Sequence, residues 1–263
     1  MRLASFAGGF GEVVGDHVVP FGEDLVAYLE GAPATRGEPV ALSSVELLAP
    51  VPRPGKVIGI GLNYRAHAAE SSSAIPERPI VFAKWASAVS APGAAVRIPR
   101  AATQVDYEAE LGVVIGSHAR AVGVDEALRH VAGYTVVNDL SARDWQFASG
   151  QWTLGKAIDG FLPMGPWLVT TDEITDPQSL RLGCYVNGEV RQDASTSDMI
   201  FSVAQIVSYV STVVDLAPGD VIATGTPSGV AMGMAEPRWL APGDEVVAFV
   251  EGIGELATRL VAG

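Results

Sequence analysis

Residues 105–116 read Val-Asp-Tyr-Glu-Ala-Glu-Leu-Gly-Val-Val-Ile-Gly (VDYEAELGVVIG). Val105, Tyr107, Ala109, Leu111, Val113 and Ile115 alternate with Asp106, Glu108, Glu110 and Val114, the period-two pattern of a β-strand. Alternate strand residues share a face, so Glu108 and Glu110 point the same way while the apolar set packs behind them. Two carboxylates held side by side repel, and one is pushed to keep its proton unless a cation removes the cost. A third carboxylate converging on the pair makes a hard-cation site. The best-placed candidate is Asp139, which closes the run at residues 134–139 (YTVVND) just before a helix start. A second reading stays open here: the two glutamates form the wet face of an edge strand.

The 263 residues are enough for one large domain, or a large one and a small one. Nearly half the composition is hydrophobic, so a sizeable core is available. With 30 acidic against 17 basic residues the formal net charge is −13, which argues against nucleic acid or an anionic membrane as the main partner. The single cysteine, Cys184, excludes an internal disulfide and reads as a buried small hydrophobe in an alternating run. The N-terminal residues are broken by glycines and acids too early for a signal peptide, and no run approaches the length of a membrane span. The expectation is a soluble cytoplasmic protein.

Outward from the central stretch, residues 1–31 read as short strands and turns, with a short helix starting within residues 21–29. Pro50, Pro52 and Pro54 stiffen the connection that follows, and a domain boundary is expected near residue 54. Residues 56–61 (KVIGIG) read as a buried strand. The glycine-rich dinucleotide fingerprint fails there, because Tyr64 stands where its third glycine belongs. Asn63 is placed to cap a helix through YRAHAAE, on which His67 and Glu70 are three apart and can meet. Glu70 would then orient the imidazole and raise its basicity, making His67 a general base. The bland alternative is a surface His–Glu pair. The polar loop SSSAIPERP follows, so helix and loop together can act as a lid.

Lys84, among apolar neighbours, is read as a snorkelling surface lysine. Residues 124–130 read as a short helix. Ser141 and Asp144 look like a capping box opening a helix through Phe147, on which Arg143 and Gln146 can face one ligand. An ordinary first-turn surface arginine is the competing reading of Arg143. Lys156, between Gly155 and Gly160, reaches either a substrate oxygen or metal-bound carboxylate, or else an ion pair with Asp159. Asn187-Gly188 is a type I′ hairpin signal, and Asp198 is placed to cap a helix with an apolar stripe from Phe201 to Val214. The pentapeptide LAPGD occurs at 216–220 and 240–244, each a Pro-Gly turn entering a strand. Thr224 and Thr226 end the first of those strands, either offering hydroxyls to a ligand or simply closing a turn.

The chain resembles the fumarylacetoacetate hydrolase family, in its acylpyruvase and 2-hydroxyhepta-2,4-diene-1,7-dioate isomerase-like branch. The matching segments are GLNYRAHAAE (61–70), DYEAELGVVIG (106–116), GYTVVNDLSARDWQ (133–146), QWTLGKAIDGFLPMGPW (151–167), VNGEVRQDASTSDMIFS (186–202) and PGDVIATGTPSGV (218–230). They span most of residues 55–263 in family order. The resemblance implies an α+β, mostly β fold: a mixed β-roll core with short helices at 55–263 and a small β domain at 1–54, usually assembled as a homodimer. It implies a Mg²⁺ or Mn²⁺ site at Glu108, Glu110 and Asp139, a lid-borne His67–Glu70 pair, and substrate contacts from Arg143, Gln146, Lys156 and Thr226. Two departures stand out. Ala157, Ile158 and Gly160 replace residues of the usual GKSFDTF, removing Ser and Thr hydroxyls, and Ser71-Ser72 replaces a usual Thr-Gly.

Three oxygen ligands without His or Cys favour a hard cation over zinc. The expected activity is hydrolysis of a C–C bond in a 2,4-diketo acid of the acylpyruvate or fumarylpyruvate type, as in aromatic catabolism. His67 activates water, Lys156 stabilises oxyanion charge, and Arg143 and Gln146 hold the small keto-acid substrate. Decarboxylation of an oxaloacetate-like acid and isomerisation of a 2-hydroxy-dienoate are alternatives at the same residues. A non-catalytic metal- and keto-acid-binding protein is the alternative outside enzymology.

Overall fold

The computed structural model describes all residues, Met1–Gly263. The fold is mostly β with short helices, as expected. An eleven-stranded sheet runs in the order Val40–Ala41, His17–Gly22, Gly9–Val14, Arg2–Phe6, Leu162–Thr170, Val131–Asn138, Ala109–Ile115, Val221–Ala223, Val57–Gly61 and Ile80–Lys84, with Val89–Ser90 added alongside Leu162–Thr170. A five-stranded sheet is built from Glu189–Ser195, Arg181–Val186, Glu245–Val250, Gly254–Ala262 and Ala95–Ile98. Parallel and antiparallel pairs mix in both: Val221–Ala223 runs parallel to Val57–Gly61, and Gly254–Ala262 parallel to Ala95–Ile98.

The central stretch is not one strand. Val105–Asp106 pairs with Ser141–Ala142 in a small separate ladder, the chain breaks at Tyr107 and Glu108, and Ala109–Ile115 then enters the large sheet. Nor is it an edge. Every residue of Ala109–Ile115 is buried, with Val131–Asn138 on one side and Val221–Ala223 on the other. Leu111, Val113 and Ile115 face the main core with Leu182, Ile206 and Leu256, while Val114 joins a second core with Leu3, Phe10 and Leu168. A strand wedged between two apolar cores has no wet face, so a carboxylate on it must be matched by specific partners.

The N-terminal strands continue the large sheet through Arg2–Phe6, which pairs antiparallel with Leu162–Thr170. The first helix is Leu25–Leu29, because Asp24 accepts the Ala27 amide at 2.8 Å after the strand His17–Gly22. Asn187 and Gly188, with φ of 52° and 80°, make the expected hairpin between Arg181–Val186 and Glu189–Ser195. Both LAPGD copies adopt one local structure: Asp220 accepts the Ala217 amide at 2.8 Å and Asp244 the Ala241 amide at 2.7 Å.

Several caps fall elsewhere than expected. The helix Val203–Ser211 is opened by a Ser202–Gln205 capping box, not by Asp198. Asp198 instead accepts the Ala66 amide at 3.0 Å, capping the helix Arg65–Glu70 from a distant part of the chain. Asn63 does not cap that helix. It is buried and bridges Phe201 and the carbonyl of Thr224 at 2.8–3.0 Å, because those backbone groups have no other partners at the strand end. Ser141 and Asp144 form no capping box. Ser141 lies in a strand, Arg143–Gln146 is a single helical turn, and Asp144 turns back to the amide and hydroxyl of Thr103.

Candidate active site

Strand register brings the acids together. Ala109 pairs with Asn138, so the next step outward sets Glu108 beside Asp139. The Asp139 amide donates to the Glu108 carbonyl at 2.8 Å, and the Asn138 side chain accepts the Glu108 amide at 3.2 Å. Glu110 enters from the second residue of the strand Ala109–Ile115. The three side chains are buried, and one carboxylate oxygen from each lies within 4.8 Å of the others. The Glu110 carboxylate accepts the Gly225 amide at 2.8 Å. Gly225 has φ of 98°, and a Cβ there would sit 2.7 Å from that of Asn63, so only glycine brings this amide in.

Cations surround this cluster unevenly. Lys156 Nζ lies 2.5 Å from Glu108 and 2.8 Å from Asp139. Arg143 Nη2 lies 2.6 Å from Glu108 and 2.8 Å from Asp106. Lys84, fully buried, pairs with Asp139 and donates to the Phe161 carbonyl at 3.0 Å. The snorkelling reading of Lys84 is therefore corrected: Ile80, Phe82 and Lys84 share the inward face of their strand, and its ammonium is neutralised by Asp139 below the cavity. Lys156 pairs with the site acids and not with Asp159.

Four buried acids (Asp106, Glu108, Glu110, Asp139) thus meet three buried bases (Lys84, Arg143, Lys156), and Glu110 is the acid left without a cationic partner. Burial, then the charges of Asp139 and Glu108, push the Glu110 carboxyl well above its ordinary range. Burial acts the same way on Glu108, but Lys156 and Arg143 outweigh it and hold that carboxyl down at about 2. Burial opposes the charge on Lys156 too, yet Asp139 and Glu108 raise its pKa. An all-oxygen donor set in which one buried acid lacks a cationic partner is chemically matched to a hard divalent cation, so the residues present fit Mg²⁺ or Mn²⁺.

A cavity of about 290 Å³ opens above the cluster and is lined by Glu108, Lys156, Arg143, Gln146, Thr226 and His67 among others. The sequence-derived candidates therefore converge, with Glu110 and Asp139 below the lining and Glu70 behind His67. His67 is 7% exposed and its Nδ1 lies 3.1 Å from Glu70, whose other oxygen accepts the Gly229 amide at 2.9 Å. The pair is not on a solvated surface: it is held against the cavity by the 226–233 segment. Gly233 packs so closely on Glu70 that a Cβ would lie 2.2 Å from the Glu70 carboxyl carbon. Arg143 is buried rather than a surface residue, and its Nη1 donates to Gln146 at 2.8 Å. The Thr226 hydroxyl is engaged inside the protein, donating to the Ala109 carbonyl at 3.0 Å and accepting from Gln192 at 2.8 Å.

Sequence reasoning missed Asp106. It accepts from Arg143 Nε at 2.9 Å and from the amides of Ala231 and Met232 at 2.8 and 3.1 Å, tying the arginine to the segment beside Glu70. The available signal was an aspartate in a run otherwise destined for burial. Lys84 carried a similar signal, a lysine at the same strand parity as Ile80 and Phe82.

A carboxylate triad thus lies under a cavity that also holds a His–Glu pair and a lysine, in a fold of two mixed sheets. The family model for the fumarylacetoacetate (FAA) hydrolase C-terminal region matches residues 56–261, and the chain belongs to that family. A mitochondrial oxaloacetate tautomerase, FAHD2A, of Bos taurus is 43% identical over 242 residues, covering 91% of this chain and 77% of the relative. Among solved structures, a fumarylacetoacetate hydrolase of Exiguobacterium antarcticum superposes with a TM-score of 0.90 at 35% identity, covering all of both chains. A 2-hydroxyhepta-2,4-diene-1,7-dioate isomerase of Mycobacterium marinum does so at 0.86 and 37%, covering 100% of this chain and 98% of that one. No helix is long and apolar enough to cross a membrane.

Proposed function

We propose that the protein is a divalent-metal-dependent hydrolase that cleaves a C–C bond in a 2,4-diketo acid of the acylpyruvate type. Glu108, Glu110 and Asp139 would hold Mg²⁺ or Mn²⁺. The observation that carries the reading is the convergence of that triad, Lys156 and the anchored His67–Glu70 pair on one cavity. Bound there, the ion supplies Lewis acidity to the two neighbouring oxygens of a 2-oxo acid and lowers the energy of the enolate.

The chain's own residues do the rest. Glu70 fixes the Nδ1–H tautomer of His67, leaving Nε2 to take a proton from water. Hydroxide adds to the distal carbonyl, and the Lys156 ammonium stabilises the oxyanion that results. The bond between C3 and C4 breaks, releasing a carboxylic acid and the enolate of pyruvate, which regains a proton at C3. Arg143 and Gln146 orient the substrate carboxylate, and Thr226 shapes the wall beside them. We further propose that residues 1–54 are a small N-terminal unit docked on the catalytic domain at 55–263, and that the working assembly is a homodimer.

A second reading has a specific observation behind it. Relatives carry the names oxaloacetate tautomerase and dioate isomerase. In that chemistry His67 would move a proton between carbon and oxygen without a placed water, and loss of CO₂ from an oxaloacetate-like acid would use the same residues. A panel of acylpyruvates, oxaloacetate and a 2-hydroxy-dienoate, followed by enol absorbance with Mg²⁺ or chelator and by NMR of the products, separates the cases. A carboxylic acid plus pyruvate supports hydrolysis. A shifted double bond, a keto–enol change or CO₂ replaces it with the second reading. No turnover of any member leaves only a binding protein.

A further inference from the structure

The cavity divides by chemistry. Its floor is Glu108, Lys156, Arg143 and Gln146, whereas much of the remaining wall is apolar: Leu62, Ile80, Phe147, Trp152 and Met232. Arg143 and Lys156 are the only Lys or Arg side chains in the lining, and both are committed to carboxylates below it. No fixed cation remains for a second carboxylate at the far end of a substrate, and stripping such a group of water without a partner is costly.

The apolar wall is built, not incidental. The Trp152 indole packs so close to the strand end that a Cβ at Gly61 would come within 2.5 Å of its ring. Phe82 and Phe147 hold it from two sides, with ring centroids 5.6 and 6.4 Å away and interplanar angles of 59° and 80°. Trp152 also starts the helical turn that ends in Lys156, whose amide donates to the Trp152 carbonyl at 3.1 Å. The wall therefore stands at a fixed distance from the charged floor.

We propose that this wall, centred on Trp152, is the subsite for an uncharged apolar or aromatic substituent at the end of the 2-oxo acid remote from its paired oxygens, and that it selects against dioates. The proposal rests on the metal-site reading above, and of the two reactions it favours cleavage of an acylpyruvate with an uncharged tail over the diacid chemistry of the second reading.

Calorimetric titration of the Mg²⁺-loaded full chain with unreactive oxamates tests it. The series is oxamate, N-propyl oxamate, N-phenyl oxamate and N-(2-carboxyethyl) oxamate. Each buried methylene is worth roughly fourfold in affinity, so N-propyl oxamate is expected to bind at least about tenfold more tightly than oxamate, and N-phenyl oxamate similarly. The carboxyethyl compound should bind at least about tenfold more weakly than the propyl one. Trp152→Ala should erase most of the gain from propyl and phenyl, and Phe147→Ala, at a half-exposed ring, part of the phenyl gain. Equal affinity for all tails, or preference for the carboxyethyl compound, overturns the subsite and leaves the metal site standing. Failure of oxamate itself to bind in a Mg²⁺-dependent way overturns both.

Discussion

The backbone amide of Asp139 donates to the carbonyl of Glu108 at 2.8 Å, one step beyond the last regular pair of their two strands. Two acids far apart in sequence are therefore set side by side by main-chain register, and Lys156 bridges their carboxylates. That register underlies the first prediction.

Glu108→Gln, Glu110→Gln and Asp139→Asn should each weaken Mn²⁺ binding by about tenfold or more, since each removes one of three anionic oxygens from the donor set. Titration followed by electron paramagnetic resonance of free Mn²⁺ reads this directly. Retention of native affinity in all three variants would remove the proposed metal site.

In chelator the same substitutions should separate by sign. Asp139→Asn leaves the buried Lys84 ammonium without its carboxylate and should destabilise by about 3–5 kcal/mol, the range for breaking a buried pair. Glu110→Gln removes the acid that has no cationic partner, so it should be neutral or stabilising. Urea unfolding of both variants without metal checks the contrast, and added Mg²⁺ should raise the midpoint of the native chain more than that of Glu110→Gln.

His67→Ala should lower kcat by about 10²–10⁴, the usual contribution of a general base, while leaving Mn²⁺ affinity within about twofold. Turnover at the native rate on the true substrate would end the proposed role of His67.

Gly233→Ala should act through Glu70. A methyl 2.2 Å from the Glu70 carboxyl carbon has to displace that side chain, which frees the imidazole it orients. Activity should fall by about tenfold to a hundredfold, as for loss of a group that fixes a functional side chain, with little change in metal affinity. Steady-state kinetics beside Mn²⁺ titration distinguishes this from general unfolding.

Much of the site was legible in the sequence because its signals are local or pairwise. The spacing of Glu108 and Glu110, the three-residue step from His67 to Glu70, and the hairpin at Asn187-Gly188 each need only one element to be understood. What was not legible depends on partners from distant elements. Lys84 looks like a surface lysine until the Asp139 carboxylate is placed beneath it. Asn63 and Asp198 are good capping residues, but the sequence does not show that one is taken by the backbone at 201 and 224 and the other by the amide of Ala66. Likewise, the break at Tyr107 and Glu108 interrupts a faultless alternating pattern, because Val105–Asp106 finds its partner in Ser141–Ala142.

The single turn Thr153–Lys156 carries an aromatic ring at its mouth and an ammonium at its end, joined by one main-chain bond. Under the proposed function, reshaping the room for a substrate's tail shifts the charge that acts on its head. Breadth and speed would then be geared together, and variants that accept bulkier acids should need a compensating change on the far side of that turn before they run fast.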